Sequence, residues 1–269
     1  MKKIILTEGQ FKNLLKEELG VSEMVTKKTK EVFQMLVDNV KKTIVNSETY
    51  NGFNFFKGDF SFQFFETKVS LSYKGYNYLS KDLFSYSKVS SDGESAFLDK
   101  RIAFMWITVP CLSGTIVKGQ VLDTIQHELE HLYQEMLIGK VFANTKKYGE
   151  MRSGLESTDE MKRNIAKVAY VCFKDEQDAF VNGLYAFLMS FAEPFFLDRM
   201  KESECWKVYF EAVSIYEKNK NEDYFIEGMK AYGMTMGKVR KCLSYFARKI
   251  GRVIMKVKKD KIEKQGWRK

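Results

Sequence analysis

The chain has 269 residues, of which 45% are hydrophobic and 29% are charged, and it carries a formal net charge of +9. This balance is typical of a folded globular protein and excludes wholesale disorder. No stretch approaches the ~20 apolar residues that a membrane-spanning helix needs. The apolar run that begins at Ile4 is too short for the core of a signal peptide, so we expect a cytoplasmic protein.

The first 50 residues predict two helices. Thr7, Glu8 and Gln10 fit a helix start with a capping box, and apolar residues then follow at helical spacing as far as Leu19. A second helix is expected from Val25 to Ile44. We therefore expect residues 1–50 to form an N-terminal helical segment.

Residues 51–110 predict β-strands, because Phe, Tyr, Ser and Gly are frequent and apolar side chains alternate. The clearest alternation runs through 59–65 and 67–73. The run 101–109 is the best single strand, and Pro110 ends it.

From about residue 118 onward the pattern is helical. The expected helices are 121–138, 164–191 with a break near Lys174, 205–218, 224–232 and 238–256. Strands and helices are thus segregated along the chain, which indicates an α+β fold rather than alternating α/β. We expect one domain over residues 51–258.

Residues 238–269 hold 13 Lys or Arg against the two acids Asp260 and Glu263, so the remainder of the chain has a net charge of −2. The basic character is therefore expected to belong to a C-terminal tail, residues 259–269 at its end, and not to the fold. Such a tail could make a weak contact with a polyanion such as nucleic acid.

The four cysteines, Cys111, Cys172, Cys205 and Cys242, are scattered and form no C-x-x-C pair. In a chain without a secretory signal they are expected to be reduced thiols. This spacing favours neither a disulfide framework nor a four-cysteine zinc site.

The chain contains two histidines, His127 and His131, and they are four residues apart in the sequence His127-Glu128-Leu129-Glu130-His131. On a helix both imidazoles lie on one face and can reach one metal ion. Glu128 is ~100° round the helix, where it can face a water activated by the metal and act as a base.

The same helix carries an apolar stripe made of Leu122, Ile125, Leu129, Leu132 and Met136. The histidines lie on the opposite, polar side. We interpret the stripe as the core face and the histidines as functional residues.

A catalytic zinc site needs three protein ligands, and no third histidine exists. The third ligand must be Asp, Glu or Cys. The downstream acids are Glu135, Glu150, Glu156, Glu160, Glu176, Asp178 and Glu193.

Glu176 is preferred among these acids, because Ala179 and Gly183 on its own helix face would allow close approach to the histidine helix. Glu150 is the second choice. An acid in the apolar helix of Glu176 is also costly unless it is paired or bound to a metal.

With these residues the chain resembles a zincin-type zinc metallopeptidase, and with a glutamate as third ligand it resembles the gluzincins. Residues 127–131 match the H-E-x-x-H motif, and residues 176–179 are similar to the E-x-x-A context of several gluzincins. The resemblance covers residues 121–183. It implies a zincin-like core, a small mixed sheet with an active-site helix, here with a mainly helical C-terminal half.

The resemblance further implies that residues 102–109 form an edge strand that binds an extended peptide. It leaves oxyanion stabilisation open among Tyr133, Tyr185, Asn182 and an arginine.

The expected function is zinc-dependent hydrolysis of peptide bonds, by an endopeptidase rather than an exopeptidase. Zn²⁺ is held by His127, His131 and Glu176, and Glu128 is the general base. The alternative is a non-enzymatic polyanion-binding or structural protein, of phage origin for example, with a structural metal. An intact Glu128 argues against it, because a structural site needs no base.

Overall fold

The structure is a computed structural model that describes residues 23–45, 49–50, 53–78, 84–85, 92–99, 102–109, 111–112, 115–138, 146–191 and 196–266. It contains a mixed sheet followed by helices, so the expected α+β class is confirmed. The helix expected at residues 7–19 lies outside the described residues.

The helices follow the periodicity of the sequence. They are α1 (Glu23–Val45), α2 (Lys118–Ile138), α3 (Lys146–Leu155), α4 (Glu160–Val171), α5 (Lys174–Met189), α6 (Phe196–Arg199), α7 (Glu204–Asn219), α8 (Asp223–Ala231) and α9 (Met236–Gly266). The expected break near Lys174 is confirmed, since α4 ends and α5 begins there. The helix α3 was not predicted, because its sequence shows little apolar periodicity.

The strands form two sheets. They are β1 (Thr49–Tyr50), β2 (Phe53–Phe64), β3 (Thr67–Tyr78), β4 (Phe84–Ser85), β5 (Asp92–Asp99), β6 (Ile102–Val109), β7 (Cys111–Leu112) and β8 (Thr115–Val117). The larger sheet has the order β1-β2-β3-β6-β5, and the smaller has the order β4-β8-β7. In the larger sheet β3 and β6 are parallel, and the other neighbours are antiparallel.

The position of β6 corrects one expectation. Residues 102–109 were expected to be an edge strand, but β6 lies between β3 and β5. The edge of the described sheet on this side is β5, which runs antiparallel to β6. The residues of β5 lack the strong apolar alternation of β6, so their pattern does not predict a strand outside β6.

The sheet and two helices share one hydrophobic core. One face of β6 is buried through Ala103, Met105, Ile107 and Val109, and this face packs with apolar residues of α1 and α2. The N-terminal helix α1 is therefore packed on the same core as the strands. A second core joins α4, α5, α7, α8 and α9. The helix α2 lies between the two, against the sheet on one side and α5 on the other.

The helix α9 also corrects an expectation, because the basic segment belongs to the fold. Six apolar residues recur at intervals of four and three and are buried: Val239, Leu243, Phe246, Ile250, Val253 and Val257. The lysines and arginines between them hide this stripe when the sequence is assessed by charge. The expected boundary at residue 259 falls inside α9, where the Tyr185 hydroxyl donates to Asp260 at 2.6 Å.

Among the residues that the structure describes, no helix combines the length and apolarity needed to cross a membrane.

Candidate metal centre

The helices α2 and α5 pack closely and place the candidate ligands opposite one another. Gly183 of α5 faces Asp123 of α2, and a Cβ atom added at Gly183 would lie 2.1 Å from Asp123 Oδ1 and 3.0 Å from its backbone oxygen. Gly119 similarly faces Phe187. The pairs show that the two helices run antiparallel. Small residues therefore set the short separation of the helices, as expected from Gly183.

At the other end of the contact between α2 and α5, three candidate ligands lie together, namely His127, His131 and Glu176. The two Nε2 atoms are 3.1 Å apart. Glu176 Oε2 is 3.9 Å from His127 Nε2 and 3.4 Å from His131 Nε2. Within the described part of the chain, this is the one group of three such side chains able to hold a metal ion. The structure thus brings together the three residues that the sequence selected as ligands.

The spacing of these atoms fits a tetrahedral metal. Four ligands at ~2.1 Å from a zinc ion lie ~3.4 Å from one another, and the three separations here run from 3.1 to 3.9 Å. Two imidazoles and one carboxylate suit Zn²⁺ better than Mg²⁺ or Ca²⁺, which prefer oxygen ligands. His131 has a side chain 23% exposed, so the group is reachable from solvent.

The charges at the site shift the pKa values of the two histidines in opposite directions. Burial and the neighbouring His131 lower the pKa of His127 to about 3, against the raising effect of Glu176. Burial also lowers the pKa of His131, but the charge and hydrogen bond of Glu176, with the charges of Glu128 and Glu130, raise it to about 9. Without a metal, His131 is therefore the protonated histidine, and it is paired with Glu176.

Two aromatic residues support the ligands. Tyr170, near the end of α4, donates a hydrogen bond to Glu176. Burial raises the pKa of Glu176, but the charge and hydrogen bond of His131, the charge of His127 and this phenol together hold it below its usual range. Phe180 packs edge-on against the His127 ring with centroids 4.7 Å apart, and Tyr170 packs against Phe180 at 5.8 Å.

Neither aromatic residue was predicted. Phe180 is four residues after Glu176 on the same helix face, so its spacing could have identified it. Tyr170 lies on a different helix, and no sequence signal points to it.

Glu128 lies beside the histidines and is buried, at 6% exposure. Its charge acts on His131, where it raises the pKa of the imidazole. The role of general base that the sequence assigns to Glu128 stays a prediction.

The other acids considered as third ligand lie elsewhere. Glu150, Glu156 and Glu160 are exposed. Asp178 forms an ion pair with Lys249. Glu135 is half-buried on α2 and belongs to no described ligand group, and Glu193 lies outside the described residues.

The polar side of α2 was expected to be separate from the core, but most of it is buried. Asp123, Glu130 and Gln134 are buried on the side of α2 that packs on α5, and Gln126 is buried where its side-chain amide donates to Thr26 Oγ1 of α1. Burial raises the pKa of Asp123 to about 8, and the charge of Glu204 adds to the effect, although the Glu204 backbone N–H donates to Asp123.

The side chains left open for oxyanion stabilisation are engaged in other contacts. Tyr185 donates to Asp260, Asn182 donates to the Asp178 carbonyl at 2.8 Å, and Tyr133 stacks on Phe65 with centroids 5.8 Å apart. None of these contacts involves His127, His131 or Glu176.

Comparison of the chain with protein-family models, with curated proteins and with solved structures gives no match.

Proposed function

We propose that the protein is a zinc-dependent peptidase whose metal is held by His127, His131 and Glu176. The observation that carries the proposal is the spacing of three donor atoms at tetrahedral ligand distances, with the buried Glu128 next to them. A structural zinc site is normally closed by four protein ligands, and the described group has three. A fourth position is then left for water or substrate.

The zinc ion, when bound, would polarise a peptide carbonyl and acidify water. Glu128 accepts a proton from the attacking water and passes it to the leaving amine. Tyr170 holds the Glu176 carboxylate in orientation through its hydrogen bond. Phe180 fixes the plane of the His127 ring and keeps water from that side.

An extended peptide would bind along the outer edge of β5. This strand is at the end of the described sheet, and α2 packs against it. Its outward backbone groups could pair with a peptide by strand addition, which gives affinity without demanding a particular side chain. The zincin-like core remains part of this proposal.

The test is a comparison of zinc content and proteolysis in matched variants. Purified protein should contain about one zinc per chain, and His127→Ala or His131→Ala should lose it. Glu128→Gln should keep zinc but cleave a denatured protein such as casein at least ~100-fold more slowly, because the amide cannot accept the proton.

Glu156→Gln is the control, because this glutamate is exposed, and it should behave as the wild type. Near-normal cleavage by Glu128→Gln would contradict the role of Glu128. Stoichiometric iron instead of zinc would contradict the choice of metal, since two histidines and a carboxylate also bind iron(II).

The alternative function, polyanion binding, is favoured by one observation. Four basic residues line a cavity beside α9, namely Lys174, Arg240, Lys241 and Arg248. Salt-sensitive DNA or RNA binding together with an absence of zinc would support it over the peptidase.

A further inference from the structure

Two of the scattered cysteines meet in the fold. Cys172 follows the last residue of α4, and Cys242 lies in the second turn of α9. Their thiols are hydrogen-bonded to one another, and both residues line the same cavity. Gln177 links the backbones of the two segments beside the cysteines, because its Nε2 donates to Val171 O at 2.8 Å and to Cys242 O at 3.3 Å.

The two sulfurs differ in accessibility. Cys172 is 9% exposed, whereas Cys242 is half-buried and, like Cys172, lines the cavity beside α9, which has a volume of about 870 Å³. Lys174, Arg240, Lys241 and Arg248 also line this cavity. A small polar oxidant can therefore reach Cys242 in a cationic environment, which favours the thiolate form.

The hydrogen bond shifts the pKa values of the two thiols in opposite directions. It lowers the pKa of Cys242 to about 7 against the effect of burial, and the charge of Lys238 acts in the same direction. The same hydrogen bond, with burial, raises the pKa of Cys172. A partly exposed thiolate next to a protonated thiol is the arrangement of an attacking cysteine and a resolving cysteine.

We propose that Cys172 and Cys242 form a peroxide-sensitive dithiol, which closes to an intramolecular disulfide between the α4–α5 junction and α9. This site shares no residue with the metal centre and goes beyond the proposed peptidase function. It also refines the expectation that all four cysteines are simple reduced thiols.

The reaction balances with hydrogen peroxide as the two-electron oxidant. The Cys242 thiolate attacks one peroxide oxygen, the O–O bond breaks, and hydroxide leaves, so that Cys242 becomes a sulfenic acid. Cys172 then loses its proton to the hydroxide and attacks the Cys242 sulfur. The S–O bond breaks as the disulfide forms, and the departing hydroxide takes up the proton that Cys242 released to solvent when it became a thiolate. The sum is two thiols and one peroxide giving one disulfide and two waters.

The experiment treats the reduced full-length protein with hydrogen peroxide in the presence of a chelator, blocks remaining thiols with N-ethylmaleimide, and digests it with trypsin without reduction. Mass spectrometry should detect the peptide 168–174 linked to the peptide 242–248. The link should be absent from Cys242→Ser and retained by Cys205→Ser, whose cysteine is fully buried. In Cys172→Ser, Cys242 should instead be trapped by dimedone as the sulfenic acid.

A second measurement keeps the proposal testable if a variant fails to fold. In the wild-type protein, iodoacetamide should modify Cys242 at least ~10-fold faster than Cys205. Equal rates, a link to Cys111 or Cys205, or peroxide products without the 168–174 to 242–248 link would overturn the proposal.

Discussion

Gly183→Ala tests whether the short separation of α2 and α5 sets the geometry of the metal centre. In a solvent-exposed helix position, Gly→Ala stabilises a protein by up to ~1 kcal/mol. At Gly183 the new Cβ would lie 2.1 Å from Asp123 Oδ1 and 3.0 Å from the Asp123 backbone oxygen. The side chain can rotate away, but the carbonyl can move only with α2. The helices must therefore separate, and such overpacking typically costs ~1–3 kcal/mol.

The same displacement acts on the ligands, because Glu176 lies two turns before Gly183 on α5 and faces the histidines of α2. We expect the variant to unfold at a lower denaturant concentration and to bind zinc at least ~10-fold more weakly. The control is Gly251→Ala on α9, where an added Cβ meets nothing within 4 Å, and this variant should be slightly stabilised with unchanged zinc affinity. If Gly183→Ala were stabilised as well, with normal zinc binding, the close-packing argument would be wrong.

Further predictions concern the supporting residues and pH. Tyr170→Phe removes the hydrogen bond to Glu176 and should weaken zinc binding ~10–100-fold. Competition with a chromophoric chelator measures this loss. The control Tyr224→Phe, far from the site in sequence, should leave zinc binding unchanged. Zinc must displace the proton of His131, whose pKa is about 9 in the metal-free protein. The apparent affinity for zinc should therefore rise ~10-fold per pH unit from pH 7 to 8.5. An affinity that does not change with pH would contradict the protonation of His131. Asp123 has a pKa of about 8 in the folded protein, whereas in the unfolded chain it loses its proton near pH 4. As the pH rises from ~4 to 8, this difference should lower the free energy of unfolding by ~1.4 kcal/mol per pH unit. Asp123→Asn should remove that slope in urea titrations at pH 5, 6 and 7, and an unchanged slope would show that Asp123 is ionised in the fold.

The sequence predicts those parts of the fold that depend on local pattern. The alternation in 59–65 and 67–73 corresponds to β2 and β3, and the stripe from Leu122 to Met136 is the core face of α2. Glu176 could be selected because no histidine remains and because Gly183 shares its helix face. In each case the deciding residues are close together in the chain.

The remaining features depend on contacts between distant segments. The burial of Asp123 and Glu130 follows from the packing of α2 on a second core, which the polarity of these residues conceals. The contacts of Tyr170 with Glu176 and of Cys172 with Cys242 join different helices. A helix was expected over 238–256, but the lysines and arginines of α9 obscured its regular apolar stripe, so charge counting placed the basic character of this helix outside the fold.

The central claim, that His127, His131 and Glu176 together bind zinc, is tested most directly by the zinc affinity of Glu176→Ala. This variant removes one carboxylate from a side chain that is 2% exposed and leaves both histidines in place. Competition with a chromophoric chelator should show that its affinity falls by more than ~100-fold, because losing a ligand costs more than losing an outer-shell partner. Glu150→Ala and Glu156→Ala should retain the wild-type value. Wild-type affinity in Glu176→Ala, or a comparable loss in Glu150→Ala, would contradict the proposed metal centre.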